Sequence, residues 1–231
     1  MPQRTVELAW TTSSALDRIW AAWTEPSHLV RWYCDRAEGS PSVGARMVHQ
    51  FDWFGFRAEY TVEKAEPQRE LVLASPRGTL TIQFRSASTR RAIRLIDTGC
   101  PDDADGYQAL RSGWLNALSL LKEYVEQNWD RPKQVLIELR EGDFEFQRAI
   151  ERYRSPLRLE WLPFGTGVLQ DTGTEVVLEW PEIRGTLELK AFPWGERRMF
   201  GLRAVSWARE SLEPRRAELR AAVERLQALI C

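Results

Sequence analysis

The sequence predicts an α+β fold in which an antiparallel sheet wraps around one long helix, followed by a shortened second copy of that arrangement. Three observations lead to this prediction. Runs of alternating apolar and polar residues occupy 45–96. An apolar stripe with helical spacing follows at 107–128. The tetrapeptide Arg-Gly-Thr-Leu at 77–80 recurs at 184–187, a separation of 107 positions.

The beginning of the chain predicts one strand followed by two short helices. Residues 5–12 alternate between apolar and polar side chains, as expected for a strand with one buried face. Ser13 or Ser14 is expected to cap the helix that follows. That helix ends at the Thr-Glu-Pro sequence of 24–26, because proline disfavours helical geometry in the residue before it. A second short helix is expected at 27–33.

The next hundred residues predict a run of antiparallel strands and then one long helix. Turn-forming residues separate five strand-like runs, at 45–53, 56–64, 70–74, 78–85 and 89–96. A loop rich in turn formers and acidic residues, at 97–106, leads into the helix. Apolar side chains recur there at three- and four-residue spacing, at Leu110, Trp114, Ala117 or Leu118, Leu121 and Val125. This is the apolar stripe of a helix that lies on a core.

Several short motifs occur in this segment in a recognisable order. They are Ile19-Trp20, Thr24-Glu25-Pro26, Arg31-Trp32-Tyr33, Val43-Gly44-Ala45-Arg46, the stretch 66–72 and Gly113-Trp114. In the order and spacing of these motifs, residues 4–128 resemble the START-like (SRPBCC) superfamily, and within it the branch similar to the activator of the heat-shock-protein-90 ATPase. The resemblance implies a helix-grip fold, in which the sheet wraps around a long C-terminal helix and generally leaves a hollow beside it.

The second half of the chain repeats part of the first. The dipeptide Arg90-Arg91 recurs at 197–198, at the same separation of 107 positions as the tetrapeptide. Further upstream the separation is 129 positions, which pairs Val6 with Val135 and Trp32 with Trp161. The second copy is therefore expected to lack about 22 residues. In the first copy that interval holds the second and third strands.

These patterns predict two domains, a helix-grip START-like domain at 1–130 and a truncated helix-grip-like repeat at 131–231. The last helix of the repeat is expected at 213–230, with one apolar stripe formed by Leu219, Val223, Leu226 and Ile230. A shortened sheet leaves an apolar face or a sheet edge to be covered. We therefore expect the second domain to pack against the first, as a pseudo-dimer within the chain, or against another chain.

Composition excludes several classes of partner. The formal net charge is −1 and the charged residues, 28% of the chain, interleave both signs, so neither nucleic acid nor a membrane surface is expected to bind. The N-terminus has no signal-peptide pattern, and no stretch approaches the roughly 18 apolar residues of a membrane span. Three cysteines without a Cys-x-x-Cys spacing predict reduced thiols and a cytoplasmic protein. With two histidines and no glycine-rich phosphate loop, no metal or cofactor is expected.

The aromatic content indicates a candidate ligand site. The chain has 11 tryptophans, each a large apolar surface with one N–H group that needs a partner. We expect an apolar pocket between the sheet and the long helix, lined by Trp20, Trp32, Met47, His49, Phe51, Tyr60, Trp114 and Leu118. Trp23, Trp53 and Phe56 are further aromatic candidates for the same wall. The alternative is that these side chains only fill the core.

The two histidines have different expected roles. Strand alternation places Met47, His49 and Phe51 on one face and Arg46 on the other. His49 is a candidate general base, although the pattern assigns it no partner carboxylate, and a structural histidine is the commoner case. His28 is expected to be exposed at the start of its short helix. No Gly-x-Ser-x-Gly nucleophile motif is present, and no catalytic residue is assigned.

Three functions are compatible with these features. The first is non-enzymatic binding of a small hydrophobic molecule in the cavity between sheet and helix. The second is a protein-interaction module of the co-chaperone kind, which the resemblance implies, with a protein partner or a homodimer. The third is an enzyme similar to polyketide cyclases, since some START-like proteins act on such substrates. A fold does not choose among them, because function depends on the site.

Overall fold

A computed structural model describes residues 4–52, 55–87, 90–102, 104–142, 167–171, 175–194 and 197–230. The chain forms two compact units, Met1–Arg131 and Pro132–Cys231. Both combine an antiparallel sheet with helices, as the sequence predicts. None of the described helices has an apolar stretch long enough to cross a membrane.

The first unit has seven strands and three helices. In chain order they are β1 (Val6–Thr12), α1 (Leu16–Thr24), α2 (Pro26–Trp32), β2 (Arg36–Gly39), β3 (Arg46–Phe51), β4 (Phe56–Glu66), β5 (Glu70–Ser75), β6 (Gly78–Ala87), β7 (Arg90–Asp97) and α3 (Ala104–Gln127). The strands form one antiparallel sheet in the order β1-β7-β6-β5-β4-β3-β2. The chain order therefore confirms the predicted α+β, helix-grip fold.

The core of this unit lies between one face of the sheet and α3. Cross-strand neighbours of an antiparallel sheet share a face, so the buried positions of adjacent strands line up. The sheet supplies Val6, Leu8, Leu71, Leu73, Leu80, Ile82, Ile93 and Leu95, and α3 supplies Trp114, Leu118, Leu121 and Val125. The predicted apolar stripe of the long helix is therefore the stripe that packs on the sheet.

The predicted serine cap of α1 is wrong. Ala15 occupies the N-cap position and makes no side-chain capping bond. Ser14 is turned away from its own helix, and its hydroxyl donates to the carbonyl oxygen of Val125 at 3.0 Å. Arg18 donates to the same oxygen at 3.2 Å. The last turn of a helix leaves carbonyls without helical partners, and here the start of α1 satisfies one of them for α3.

His28 is packed, which corrects the expectation that it is exposed. Its side chain is 12% exposed, and its Nδ1 lies 2.6 Å from the hydroxyl of Tyr124. Its ring stacks on Trp129, with 4.2 Å between the ring centroids. The guanidinium of Arg18 lies 5.0 Å from the centre of the Trp129 ring. The residues after α3 are thus held against the first two helices, which sequence pattern alone does not reveal.

The second unit has a smaller sheet and one long helix. Its elements are β8 (Gln134–Glu141), β9 (Gly167–Asp171), β10 (Glu175–Trp180), β11 (Gly185–Trp194), β12 (Arg197–Ser206) and α4 (Arg216–Ile230). Short 3-10 turns at Pro181–Ile183 and Glu213–Arg215 precede β11 and α4. The sheet order is β8-β12-β11-β10-β9. Its core includes Leu187, Leu189, Phe200 and Leu202 from the sheet, and Leu219, Ala222, Val223 and Leu226 from α4.

The two sheets follow the same plan. The order β8-β12-β11-β10-β9 parallels β1-β7-β6-β5-β4, which is consistent with the predicted shortened second copy. Among the described residues, β2 and β3 are the strands without a counterpart. The predicted third strand, 56–64, corresponds to β4. The expectation that the second unit lacks this strand is wrong, because β9 occupies the equivalent position in the second sheet.

The register of the first strand corrects the offset that pairs Val6 with Val135. Across the strands of the first sheet, Val6 lies opposite Asp97. The residue 107 positions after Asp97 is Ala204, and in the second sheet Ala204 lies opposite Leu136. Leu136 is buried in the core beside α4, as Val6 is in the first unit. A shift by one residue turns every side chain of a strand to the other face, so Leu136 is the structural counterpart. Trp161 lies outside the described residues.

Candidate functional site

Several of the predicted wall residues meet on one face of the first sheet. Met47, His49 and Phe51 point from β3 toward the interior, while Arg46 lies on the outer face in an ion pair with Glu59. Met47 is paired with Tyr60 across the two strands, which places Tyr60 on the same inner face. Trp114 approaches this surface from α3 and Trp32 from α2.

Tyr33 lies at the centre of this arrangement and is absent from the predicted wall. It follows the last residue of α2. Its ring centroid lies 5.0 to 6.3 Å from those of Trp23, Trp32, His49, Phe51 and Trp114. We refer to Trp23, Trp32, Tyr33, His49, Phe51, Tyr60 and Trp114 as the aromatic cluster. Tyr33 is part of the Arg31-Trp32-Tyr33 motif, but no helical or strand periodicity predicts that the residue after a helix lies at the centre of a cluster.

The remaining predicted wall residues differ in their surroundings. Met47 and Leu118 are buried in the core. Trp20 is half-buried and its described ring contact is with Phe84, at 5.5 Å, rather than with the aromatic cluster. Trp32 is fixed by a hydrogen bond from its indole nitrogen to the carbonyl oxygen of Ala22, at 2.9 Å. Trp53, one of the further candidates, lies outside the described residues.

An interior carboxylate orients Trp114. The indole N–H of Trp114 donates to Oδ2 of Asp97 at 2.7 Å, and the backbone N–H of Gly99 donates to Oδ1 at 2.8 Å. Asp97 ends β7 and pairs with Val6 and Leu80, so it shares their inner face. The sequence holds the signal for this residue, since Asp97 continues the buried alternation of the two preceding apolar positions of its strand.

His49 is buried without a hydrogen-bond partner. It is 0% exposed, and neither Nδ1 nor Nε2 is bonded to another group. The indole nitrogen of Trp23, in the same cluster, also has no partner. Burial lowers the pKa of His49 to about 4, because the charged form loses its hydration. The imidazole is therefore neutral near neutral pH and has one donor and one acceptor nitrogen.

Two phenols flank His49. The ring centroids of Tyr33 and Tyr60 lie 5.4 and 5.3 Å from that of the imidazole. Burial raises the pKa of Tyr33 well above its usual value, and the nearby Tyr60, Cys34 and Asp97 raise it further. The pKa of Tyr60 is raised too, by burial first and by Asp97 second. Both groups are therefore neutral hydroxyls, able to donate and accept hydrogen bonds.

The edge of the cluster reaches the surface at Phe56. This residue starts β4, is 43% exposed and lies 5.9 Å from Phe51 between ring centroids. The guanidinium of Arg77, in the β5–β6 turn, lies 5.8 Å from the centre of the Phe56 ring. The cluster thus extends from the interior to the end of the sheet at which β4 begins and the β5–β6 turn lies.

The chemistry of the site is that of neutral, aromatic recognition. Its polar groups are a neutral imidazole, two neutral phenols, the indole N–H groups of Trp23, Trp32 and Trp114, and one carboxylate that already accepts two hydrogen bonds. Within the part of the chain that the structure describes, no three His, Cys, Asp or Glu side chains are grouped so as to hold a metal ion. The arrangement suits an uncharged ligand with rings and few polar groups.

Comparison with known proteins gives one family and several solved structures. Residues 13–126 match the family model described as "Activator of Hsp90 ATPase homolog 1-like protein". No curated protein sequence matches the chain. The crystal structure of DynU16, from the dynemicin biosynthetic locus, aligns with 99% of this chain and 97% of its own, at 17% identity and a TM-score of 0.50. This likeness concerns the fold, and it spans both units.

Two further structures align with about half of the chain. The Aha1 dimer from Colwellia psychrerythraea is 17% identical over 54% of this chain and 97% of its own, with a TM-score of 0.49. Protein MLL2253 from Mesorhizobium loti is 24% identical over 52% of this chain and 95% of its own, with a TM-score of 0.46.

Proposed function

Residues 13–126 form a START-like domain of the branch similar to the activator of the Hsp90 ATPase, and from this premise we propose that the first unit binds a small hydrophobic molecule without transforming it. The ligand lies between the sheet and α3, against the aromatic cluster. Family membership is compatible with either a ligand-binding or an interaction module, so the proposal rests on the site.

The observation that carries the proposal is the position of Tyr33. Its ring contacts aromatic side chains from α1, α3 and β3. Burial raises the pKa of its hydroxyl, yet the residue retains part of its accessible surface. A ring that is packed on several sides and still partly accessible is the place where a ligand can contact the aromatic cluster. Tyr60 combines a raised pKa with partial exposure in the same way.

The surroundings of His49 favour binding over catalysis. A general base works best with a pKa near the working pH, and it is commonly oriented by a second group. The pKa of His49 is near 4 and its nitrogens have no partner. The carboxylate of Asp97 is already bonded to Trp114 and Gly99. This geometry supports the non-enzymatic function over the one similar to polyketide cyclases.

Tryptophan fluorescence tests the proposal directly. We expect a titration with fatty acids, sterols and flavonoids to give a saturable change for at least one of these classes. Ala58 faces His49 across β3 and β4 and is 8% exposed, so Ala58→Leu places a larger side chain against the cluster and is expected to abolish the change. Ala9→Leu, on the exposed face of β1, is the matched control and is expected to leave it intact.

The alternative outcome is equally definite. No saturable change with any compound, together with a mass that rises with concentration in light scattering, would favour an interaction module or a homodimer. A response that survives Ala58→Leu would place the ligand away from the aromatic cluster.

A further inference from the structure

We infer that the molecule bound by the first unit carries a hydroxyl group, and that His49 is the residue that recognises it. This inference rests on the proposed function and adds the chemical class of the ligand: a ring compound with a phenolic or enolic hydroxyl.

The first step is the unsatisfied imidazole. Most buried polar side-chain atoms in folded proteins have a hydrogen-bond partner, and each exception needs an explanation. Both ring nitrogens of His49 are exceptions, although the residue is 0% exposed. Packing alone does not account for a histidine here. Its neighbours on the inner face, Met47 and Phe51, are apolar, so an apolar side chain would fill the position without leaving polar atoms unpaired.

The second step is the convergence of polar groups around His49. Tyr33 and Tyr60 lie against its ring, and within the described residues neither hydroxyl has a hydrogen-bond partner. The cross-strand neighbours of His49 are Ala58 on β4 and Ala37 on β2, both with small side chains. A ligand hydroxyl is a donor and an acceptor at once. It can donate to the imidazole and accept from a tyrosine.

The third step excludes charged ligands. A carboxylate is stabilised best by a protonated imidazole, but burial keeps His49 neutral, so a buried carboxylate would have no charged partner at this residue. The negative charge of Asp97 also raises the pKa of Tyr33 and of Tyr60, so a further negative charge beside these phenols is disfavoured. An ammonium group would need an acidic partner, and both oxygens of Asp97 already accept hydrogen bonds. A neutral hydroxyl satisfies the site without these costs.

The geometry also fixes how the ligand reaches His49. Neither nitrogen is in contact with solvent. Tyr33 and Tyr60 are the partly exposed rings that contact His49, so a ligand can reach the imidazole only if one of these two rings moves. Tyr33 follows the end of α2, outside the sheet, whereas Tyr60 lies within β4.

A matched pair of small ring compounds tests the inference. 2-Naphthol and 2-methylnaphthalene have nearly the same shape, and differ in a hydroxyl against a methyl group. By calorimetry of the full chain we expect 2-naphthol to bind up to about tenfold more tightly, the effect of one buried hydrogen bond. His49→Phe keeps a ring and removes both nitrogens, and is expected to abolish this preference. His49→Gln restores a donor and an acceptor, and is expected to recover part of it.

Each contrary result has a distinct meaning. Equal affinities for the two compounds in the unmodified protein overturn the inference, whatever the variants do. A preference that survives His49→Phe overturns the role of His49. If neither compound binds but a fatty acid does, the inference fails and the proposed function stands. If no compound of either test binds, both fail.

Discussion

At the scale of single residues, burial decides the chemistry of the site. His49 is surrounded by aromatic rings rather than by charges, and the loss of hydration alone lowers its pKa to about 4. In the unfolded chain a histidine has a pKa near 6.5. The unfolded state therefore binds a proton between these two values that the folded state does not bind. Above the unfolded pKa the buried imidazole carries no such cost, and the folded protein loses stability as the pH falls through this window.

This linkage predicts a specific acid sensitivity. Between pH ~7.5 and ~5 we expect His49 to cost the folded protein about 2 kcal/mol of unfolding free energy. Urea unfolding at the two pH values measures it, in the unmodified protein and in His49→Phe. The variant is expected to lose less stability on acidification by about that amount. An equal loss in both proteins would mean that His49 is not held neutral by the fold.

Asp97 supports the second prediction at this scale. Its carboxylate accepts from Trp114 and Gly99, so Asp97→Ala leaves two donors without their acceptor. We expect it to lower the unfolding free energy by about 1–3 kcal/mol and to shift the tryptophan emission. Glu7→Ala is the control, because Glu7 forms an exposed ion pair with Arg94 and its loss should change stability little. Equal effects of the two variants would contradict the role of Asp97.

At the scale of elements, the glycines that begin β6 and β11 explain why the same tetrapeptide occurs twice. A Cβ on Gly78 would lie 2.7 Å from the backbone nitrogen of Gly99, and one on Gly185 would collide with the carbonyl oxygen of Val205. In both units a neighbouring chain segment passes too close for a side chain. The Arg-Gly-Thr-Leu motif thus marks equivalent close approaches in two sheets.

The glycines give a pair of opposite predictions. Gly185→Ala is expected to destabilise the second unit, because the strand must shift away from Val205. Gly113 lies inside α3 with open space at its Cβ position, so Gly113→Ala should stabilise by about 0.5–1 kcal/mol. Thermal unfolding measures both changes. A stabilised Gly185→Ala protein would contradict the packing of β11 against β12.

A buried ion pair connects the same two strands of the second unit. Arg203 on β12 donates to both carboxylate oxygens of Glu188 on β11, at 2.6 and 2.7 Å. Glu188 is 0% exposed. Glu188→Ala removes the buried carboxylate and is expected to cost about 3–5 kcal/mol in unfolding free energy. Urea unfolding checks this against Glu218→Ala, which breaks the exposed pair with Arg215. Similar costs would contradict the account.

Local patterns predicted the elements, and tertiary contacts decided the details. The longer strands and α3 follow from apolar spacing, which a sequence displays directly. The strand β2 was not predicted, because its residues Arg-Ala-Glu-Gly are largely exposed and carry no apolar alternation. Ser14 and His28 were assigned to local roles, yet both bond to the distant helix α3. Tyr33 was missed because its neighbours come from three different elements.

At the scale of the whole molecule, the two units share a plan but not a site. The second sheet parallels β1 and β4–β7, and in its described residues nothing corresponds to β3, the strand that carries His49 and Phe51. The aromatic cluster also draws on α1 and the end of α2. Ligand binding is therefore proposed for the first unit alone. The packing of the second unit against the first, or against another chain, stays a prediction of the sequence.

The central claim is that the aromatic cluster of the first unit encloses a ligand. The most direct test is a nuclear magnetic resonance titration with a ligand identified by fluorescence. It follows the chemical shifts of the Trp23 and Trp114 indole N–H groups and of the His49 imidazole up to saturation. We expect these three signals to shift together, while the indole signals of Trp180 and Trp207 in the second unit stay constant. Shifts confined to the second unit, or to exposed residues such as Val43, would contradict the claim.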